Sequence, residues 1–214
     1  METKQYILNK YKIEDQGQQV IEIPNIGRDQ MAELFSELNF KNGLEVGVFK
    51  GKYSEVLCQK NPQAQIYGVD PWELAAHPAG VFVNGESQHF FDKCYQETLD
   101  RMAPYKNYVI LKQYSADAAK GFADNSLDFV YIDAGHDFLN FTIDLASWLP
   151  KVKTGGIMSG HDFAYYPFEK YIHVKSVLLT YTRCYNIHPI FVAGSQAKGE
   201  GLIRDRYRSW FFVK

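Results

Sequence analysis

Residues 43–54, Gly43-Leu-Glu-Val-Gly-Val-Phe-Lys-Gly-Lys-Tyr-Ser54, decide the fold. The short apolar run Leu44 to Val48 meets Gly47 and Gly51, four apart, and then a helix-like stretch from Tyr53 to Lys60. The segment therefore reads as a buried strand turning sharply into a helix. A glycine at such a turn lets the backbone pass close to a ligand, through space that any side chain would fill. A dinucleotide fingerprint would need G-x-G-x-x-G, but Val48 and Phe49 stand where its second close-approach glycine belongs, so a pyrophosphate has no seat here. What remains is E-x-G-x-x-x-G with Glu45 inside the strand. A buried acid needs partners, either a salt bridge within the protein or a cationic ligand.

Outward from this turn the same alternation recurs. Short apolar runs at Gln65 to Val69, Tyr108 to Leu111, Phe129 to Ile132 and Gly156 to Met158 read as buried strands. Helical stretches separate them at His89 to Met102, Ala116 to Phe122 and Phe138 to Leu149, and Met31, Leu34, Phe35 and Leu38 place one face of a helix before the first strand. Such alternation implies right-handed crossovers and a parallel sheet covered on both faces. A further helix, Phe168 to Cys184, precedes two strands, His188 to Val192 and Ser209 to Val213. The loop joining them carries Lys198, Arg204, Arg206 and Arg208 against Glu200 and Asp205, and reads as a solvated hairpin tip or a binding loop. The segment Glu73 to Gln88 is long for a strand-to-helix connection and is a candidate substrate cover. The chain divides into an N-terminal arm, residues 1–27, and one domain, residues 28–214.

Length and composition agree with one α/β domain. The 214 residues are 46% apolar, 15% aromatic and 22% charged, which excludes disorder as the main state. With 23 basic and 25 acidic side chains the net charge is -2, so no global positive field favours nucleic acid. Cys58, Cys94 and Cys184 form neither a disulfide framework nor a zinc pattern. No run approaches a membrane span, and Met-Glu-Thr-Lys-Gln lacks the basic and apolar regions of a signal peptide. A cytoplasmic protein without a membrane partner is expected. A homo-oligomer is allowed and not specified.

Open parallel sheets bind ligands beyond the carboxyl ends of their strands. Asp70, twenty-three residues after Gly47 in Tyr67-Gly-Val-Asp-Pro-Trp72, can accept both hydroxyls of a ribose, or simply start an Asp-Pro turn. Trp72 can shelter an adenine ring. Ser115, Ala116 and Asp117 follow the third strand and either cap the next helix or line an adenine site. Ile132-Asp-Ala-Gly-His136 and Ser159-Gly-His-Asp-Phe163 then bring two acids and two histidines to one rim, if their strands are adjacent. Two close carboxylates do not both stay ionised without a cation or a shared proton. Asp133, Asp162 and His161 are the candidate metal ligands, and His136 the candidate base, with an ordinary pKa near 6.5 that suits proton transfer. His136 alternatively caps the helix that starts near Asp137, and His161 is its rival as base.

Taken in this order, the residues resemble class I S-adenosylmethionine-dependent methyltransferases from about Arg28 to Lys214. The antiparallel final hairpin is part of the likeness. Glu45, Gly47 and Gly51 match the first motif, Asp70 the ribose acid, Asp133 the motif after the fourth strand, and Gly155-Gly156 the turn into the fifth. Asp128 to Phe163 resembles the macrocin-type, methyltransferase family 24-like small-molecule O-methyltransferases. It is also similar to the catechol type, whose D-x-x-K is followed by Asp-Asn. Here His136 replaces Lys, and His161-Asp162 replaces Asp-Asn at the same separation of twenty-eight residues. Histidine is a poorer magnesium ligand than a carboxylate.

The resemblance implies a single Rossmann-like domain with a seven-stranded, mostly parallel sheet. It implies that Glu45, Gly47, Gly51, Ser54, Asp70, Trp72, Ser115, Ala116 and Asp133 hold S-adenosylmethionine. It further implies methyl transfer to a hydroxyl of a small acceptor, such as a sugar or glycoside, with Mg2+ or another divalent cation assisting and His136 or His161 catalytic. The competing reading is a non-catalytic nucleotide-binding or interaction module of the same fold. A nicotinamide-dependent oxidoreductase is disfavoured by the missing glycine.

Overall fold

The computed structural model describes residues 2–74, 87–165 and 172–214. Its centre is a sheet of eight strands, β1 (Val20–Ile23), β2 (Asn42–Val46), β3 (Gln65–Val69), β4 (Tyr108–Leu111), β5 (Leu127–Ile132), β6 (Val152–Gly160), β7 (Ile190–Ala193) and β8 (Ser209–Val213). Their order is β1-β7-β8-β6-β5-β2-β3-β4. All neighbours are parallel except β8, which lies antiparallel between β6 and β7. The sheet thus has one strand more than the seven expected. That strand, β1, comes from within the first 27 residues and pairs with β7, Val20 opposite Ile190.

Helices α1 (Thr3–Tyr11), α2 (Arg28–Glu37), α3 (Lys52–Lys60), α4 (Gln88–Met102), α5 (Ser115–Ala119), α6 (Phe138–Trp148) and α7 (Val174–Cys184) complete the fold. The period-two alternation of strand side chains builds two cores. On β5, Val130 and Ile132 join Trp210 and Phe212 of β8 beneath α6 and α7, whereas Phe129 and Tyr131 join Phe211 beneath α2 and α3. Phe35 of α2 stacks on Phe129 with ring centroids 4.0 Å apart. Burying such a side chain stabilises the fold by roughly 1.5–3 kcal/mol. Helix α6 starts where the Asp137 carboxylate accepts the N–H groups of Leu139 and Asn140, and it buries Phe141, Leu145 and Trp148. Ile7 of α1 is fully buried in the same core as α2, with Ile21 and Ile23 of β1.

The strand expectations at β3, β4 and β8 hold to the residue, and β6 is longer at both ends than Gly156 to Met158. The helix expected over Phe168 to Cys184 begins at Val174, with His173 as its N-cap, and ends at Cys184 as expected; residues 166–171 lie outside the description. Most of the candidate cover, residues 75–86, also lies outside it. Among the described residues no helix is long and apolar enough to cross a membrane.

Candidate active site

A cavity of about 520 Å³ opens at the carboxyl ends of β5, β2, β3 and β4. Glu45, Gly47, Asp70, Trp72, Ser115, Ala116, Asp133 and His136 line it, together with Arg28 and Asp144. Gly51 and Ser54 stand behind this wall, Gly51 as the residue before α3 with φ +70° and Ser54 fully buried in α3.

Gly47 has φ +90°, and a Cβ there would lie 2.1 Å from the Asp133 carbonyl oxygen. The glycine is therefore imposed by the neighbouring strand end as well as by its own backbone. Asp70 braces the same turn: one carboxylate oxygen accepts the N–H groups of Val48 at 3.0 Å and Phe49 at 2.9 Å, and the other accepts that of Trp72 at 2.8 Å. The acid read as a ribose partner is engaged in shaping the turn. Trp72 donates its indole N–H to the Phe49 carbonyl and packs on Tyr95, with only 1% of its surface exposed.

Glu45 is buried and accepts the Ser54 hydroxyl, which is also 2.9 Å from the Tyr108 hydroxyl. Among the described residues no ion pair includes Glu45, so the salt-bridged alternative is not what the fold contains. Burial pushes its carboxyl up to about 8, against the Ser54 hydrogen bond. An acid so placed gains from a cationic ligand.

Adjacent strands β5 and β6 bring the two His-Asp tips together. Ligand atoms of Asp133, His136 and Asp162 all lie within 4.8 Å of one another. His136 Nε2 is 3.0 Å from an Asp162 oxygen and 3.5 Å from an Asp133 oxygen, yet it is buried without a hydrogen bond of ordinary geometry. His161 is not in this group. Its Nδ1 is 3.3 Å from Asp162 and its Nε2 3.3 Å from Asp205, so the ring bridges two carboxylates. Asp162 holds a left-handed backbone, φ +62°, of the kind that persists where surroundings over-determine it.

The near-neutral titration expected of His136 does not suit this setting. Burial opposes its charge, but the Asp133 and Asp162 carboxylates beside Nε2 win and push it up to about 10. His161 goes the same way, up to about 10, through Asp162 and Asp205 against burial. Asp162 is held well below the carboxylate range, because the two histidines outweigh its burial. The two carboxylates beside Nε2 favour the charged form of His136, which works against a general-base role.

Three site residues escaped sequence reading. Arg28, whose Nη1 is 3.7 Å from Asp133, looked like an ordinary first residue of a helix. Asp205 was hidden in a loop read for its basic residues. Asp144 had a readable signal, an acid on the apolar stripe of Phe141, Leu145 and Trp148.

A methyltransferase domain model matches residues 44–163, more than half of the chain, and the chain belongs to that family. It is a class I S-adenosylmethionine-dependent methyltransferase. No curated protein matches it. Among solved structures, a candidate O-methyltransferase from Klebsiella pneumoniae is similar at TM-score 0.59 and 14% identity, covering 87% of this chain and 80% of that one. The O-methyltransferase TomG from Streptomyces achromogenes, in complex with S-adenosylmethionine, gives TM-score 0.56 and 14% identity over 87% and 79% of the two chains. Cofactor-bound Rv0187 from MTB gives 0.57 and 13% over 87% and 79%.

Proposed function

We propose that this methyltransferase acts on a hydroxyl of a small molecule, such as a sugar or glycoside, with a divalent cation held by Asp133, His136 and Asp162. The observation that carries the reading is the convergence of two carboxylates and one unbonded imidazole nitrogen beside the cavity, in whose wall Asp133 and His136 stand. The O-methyltransferases of similar fold support the choice of oxygen as acceptor. A mixed set of oxygen and nitrogen donors suits manganese better than magnesium. In this reading His136, rather than His161, is among the ligands.

S-adenosylmethionine supplies a methyl on a positively charged sulfur; transfer breaks that S–C bond, leaves its electron pair on sulfur, and forms an O–C bond as the hydroxyl proton passes to water. A bound divalent cation lowers the pKa of a hydroxyl placed beside it. Glu45 is placed to meet the ammonium of the donor's amino-acid end. Gly47 and the turn braced by Asp70 let that end lie against the backbone, and Ser115 and Ala116 line the opposite end. His161, fixed between Asp162 and Asp205, donates to Asp162 and orients it as a ligand. Positioning of donor and acceptor can supply roughly 7–11 kcal/mol of the barrier reduction. Residues 28–214 form the catalytic domain in this reading, with residues 1–27 as an arm. A cytoplasmic place of action agrees with three cysteines that form no disulfide among the described residues.

The test is turnover of labelled donor against a panel of hydroxylated small molecules, with and without excess chelator, alongside calorimetric titration of Mn2+ into the protein. Methylated hydroxyl product, lost on chelation and restored by Mn2+, is expected. Methylation at nitrogen or carbon would refute oxygen as the acceptor, and full activity in chelator with no Mn2+ heat would refute the cation.

A further inference from the structure

His136 sits where no regular structure holds it. Strand β5 ends at Ile132 and α6 begins at Phe138, so the residues between them draw no support from the sheet or from the helix interior. The Asp133 N–H still bonds the Val46 carbonyl at 2.8 Å, in continuation of the sheet. Beyond it, among the described residues, the backbone of residues 134–136 makes one hydrogen bond: the His136 carbonyl accepts the N–H of His173 at 2.8 Å. The His173 side chain adds a second tie two residues on, where its Nδ1 accepts the Phe138 N–H at 2.9 Å. A residue from the start of α7, distant in sequence, thus grips the tip after β5 at two points.

Neither helix requires the second tie. His173 is the N-cap residue of α7, yet its side chain makes no cap bond there. The Asp137 carboxylate already accepts the N–H groups of Leu139 and Asn140 and caps α6. Phe138 is 63% exposed, and water can satisfy the first N–H of an exposed helix at little cost to stability. What the imidazole adds is a fixed place for residues 136–138. His136 has need of one, because its Nε2 lies 3.0 Å from Asp162 and 3.5 Å from Asp133, and a displaced loop would carry the ring away from both.

We propose that His173 is a positioning residue for the cation site, holding residues 136–138 so that His136 Nε2 meets a cation between Asp133 and Asp162. The inference rests on the reading of Asp133, His136 and Asp162 as a cation site. His173 is not itself one of those ligands and stands outside the cavity wall. Partners that orient a ligand in this way are worth about 10-fold to 100-fold in metal affinity.

Calorimetric titration of Mn2+ tests this without turnover, on the wild-type protein, His173→Leu, His173→Ala and His173→Asn. Leucine and alanine offer no acceptor, whereas the Oδ1 of asparagine stands as many bonds from the backbone as the Nδ1 of histidine. His173→Leu and His173→Ala are expected to bind Mn2+ about 10-fold to 100-fold more weakly than the wild type, and His173→Asn to recover most of the loss. Affinity for S-adenosylhomocysteine, read in chelator, is expected to stay at the wild-type value in all three. Wild-type Mn2+ affinity in His173→Leu or His173→Ala would overturn the proposal, as would His173→Asn binding no better than these two. An equal loss of both affinities, or failure of both acceptor-free variants to fold, would mark the tie as one that the fold at large requires and would overturn it too. No Mn2+ heat with the wild type would defeat the cation reading itself, and the inference with it.

Discussion

Replacing Glu45 by Gln should stabilise the cofactor-free protein at neutral and alkaline pH while weakening its hold on the donor. The carboxyl has an ordinary value of 4.5 and is pushed up to about 8 in the fold, chiefly by burial. Between those values the folded protein keeps a proton that the unfolded chain has released. Stability therefore falls as pH rises through this window, by at most about 1.4 kcal/mol per pH unit, and the loss is complete above the folded value. From about pH 5.5 to about pH 7.5 that amounts to at most roughly 2.7 kcal/mol. Glutamine presents the same acceptor to Ser54 but does not titrate. Urea unfolding of both proteins at these two pH values, in chelator and without cofactor, isolates the effect, because His136 and His161 titrate in both. The stability of the variant relative to the wild type is expected to rise by about 1–2.5 kcal/mol between the two conditions. Affinity for S-adenosylhomocysteine should drop by about 10-fold, since the ammonium loses its counter-charge. A difference in stability that does not change with pH would refute the assignment of a neutral, burial-perturbed Glu45.

Gly47→Ala should destabilise by roughly 2–4 kcal/mol in thermal melts, because a methyl group 2.1 Å from the Asp133 carbonyl cannot be accommodated without moving a strand end; an unchanged melting temperature would disprove that clash. Asp70→Ala leaves three backbone N–H groups without their acceptor and should cost about 2–4 kcal/mol. If it lowered cofactor affinity at unchanged stability, Asp70 would be a ligand residue rather than a brace. Asp162→Asn should abolish measurable Mn2+ binding in calorimetry, whereas His161→Gln should weaken it by about 10-fold as an orienting residue. Equal loss in both variants would move His161 into the ligand set.

The parts of the fold that were legible are those in which one local signal sufficed. Strands β3, β4 and β8 are apolar runs between turn residues, and their bounds follow from that alone. Strand β1 has four residues, one of them exposed Glu22, and lies at the sheet edge. Its partner β7 is distant in sequence, so nothing local announces the pairing. Strand β6 runs through Gly155-Gly156, a glycine pair that reads as a turn into it, so that Lys153 and Thr154 before the pair already belong to the strand.

In the site, the convergence of Asp133, His136 and Asp162 could be foreseen, because strand adjacency alone brings two strand tips together. Which histidine faces the two acids could not. That choice turns on the left-handed backbone at Asp162 and on Asp205, which arrives from the loop between β7 and β8 to claim the His161 ring. The raised histidine values have the same origin: they follow from two charges on each ring, and a sequence gives no distance between charges.

The place of β8 between β6 and β7 bears on the order in which the chain can be completed during synthesis. Strands β1 and β7 pair with each other, and only β8 ties them by sheet hydrogen bonds to the other five. Strand β1 leaves the ribosome before the other seven, yet its attachment to the sheet waits until residues 209–213 have emerged. Until then Ile21 and Ile23 lack the finished core that covers them, and a nascent chain halted before Ser209 would present the edge of β6 bare, open to pairing with another chain.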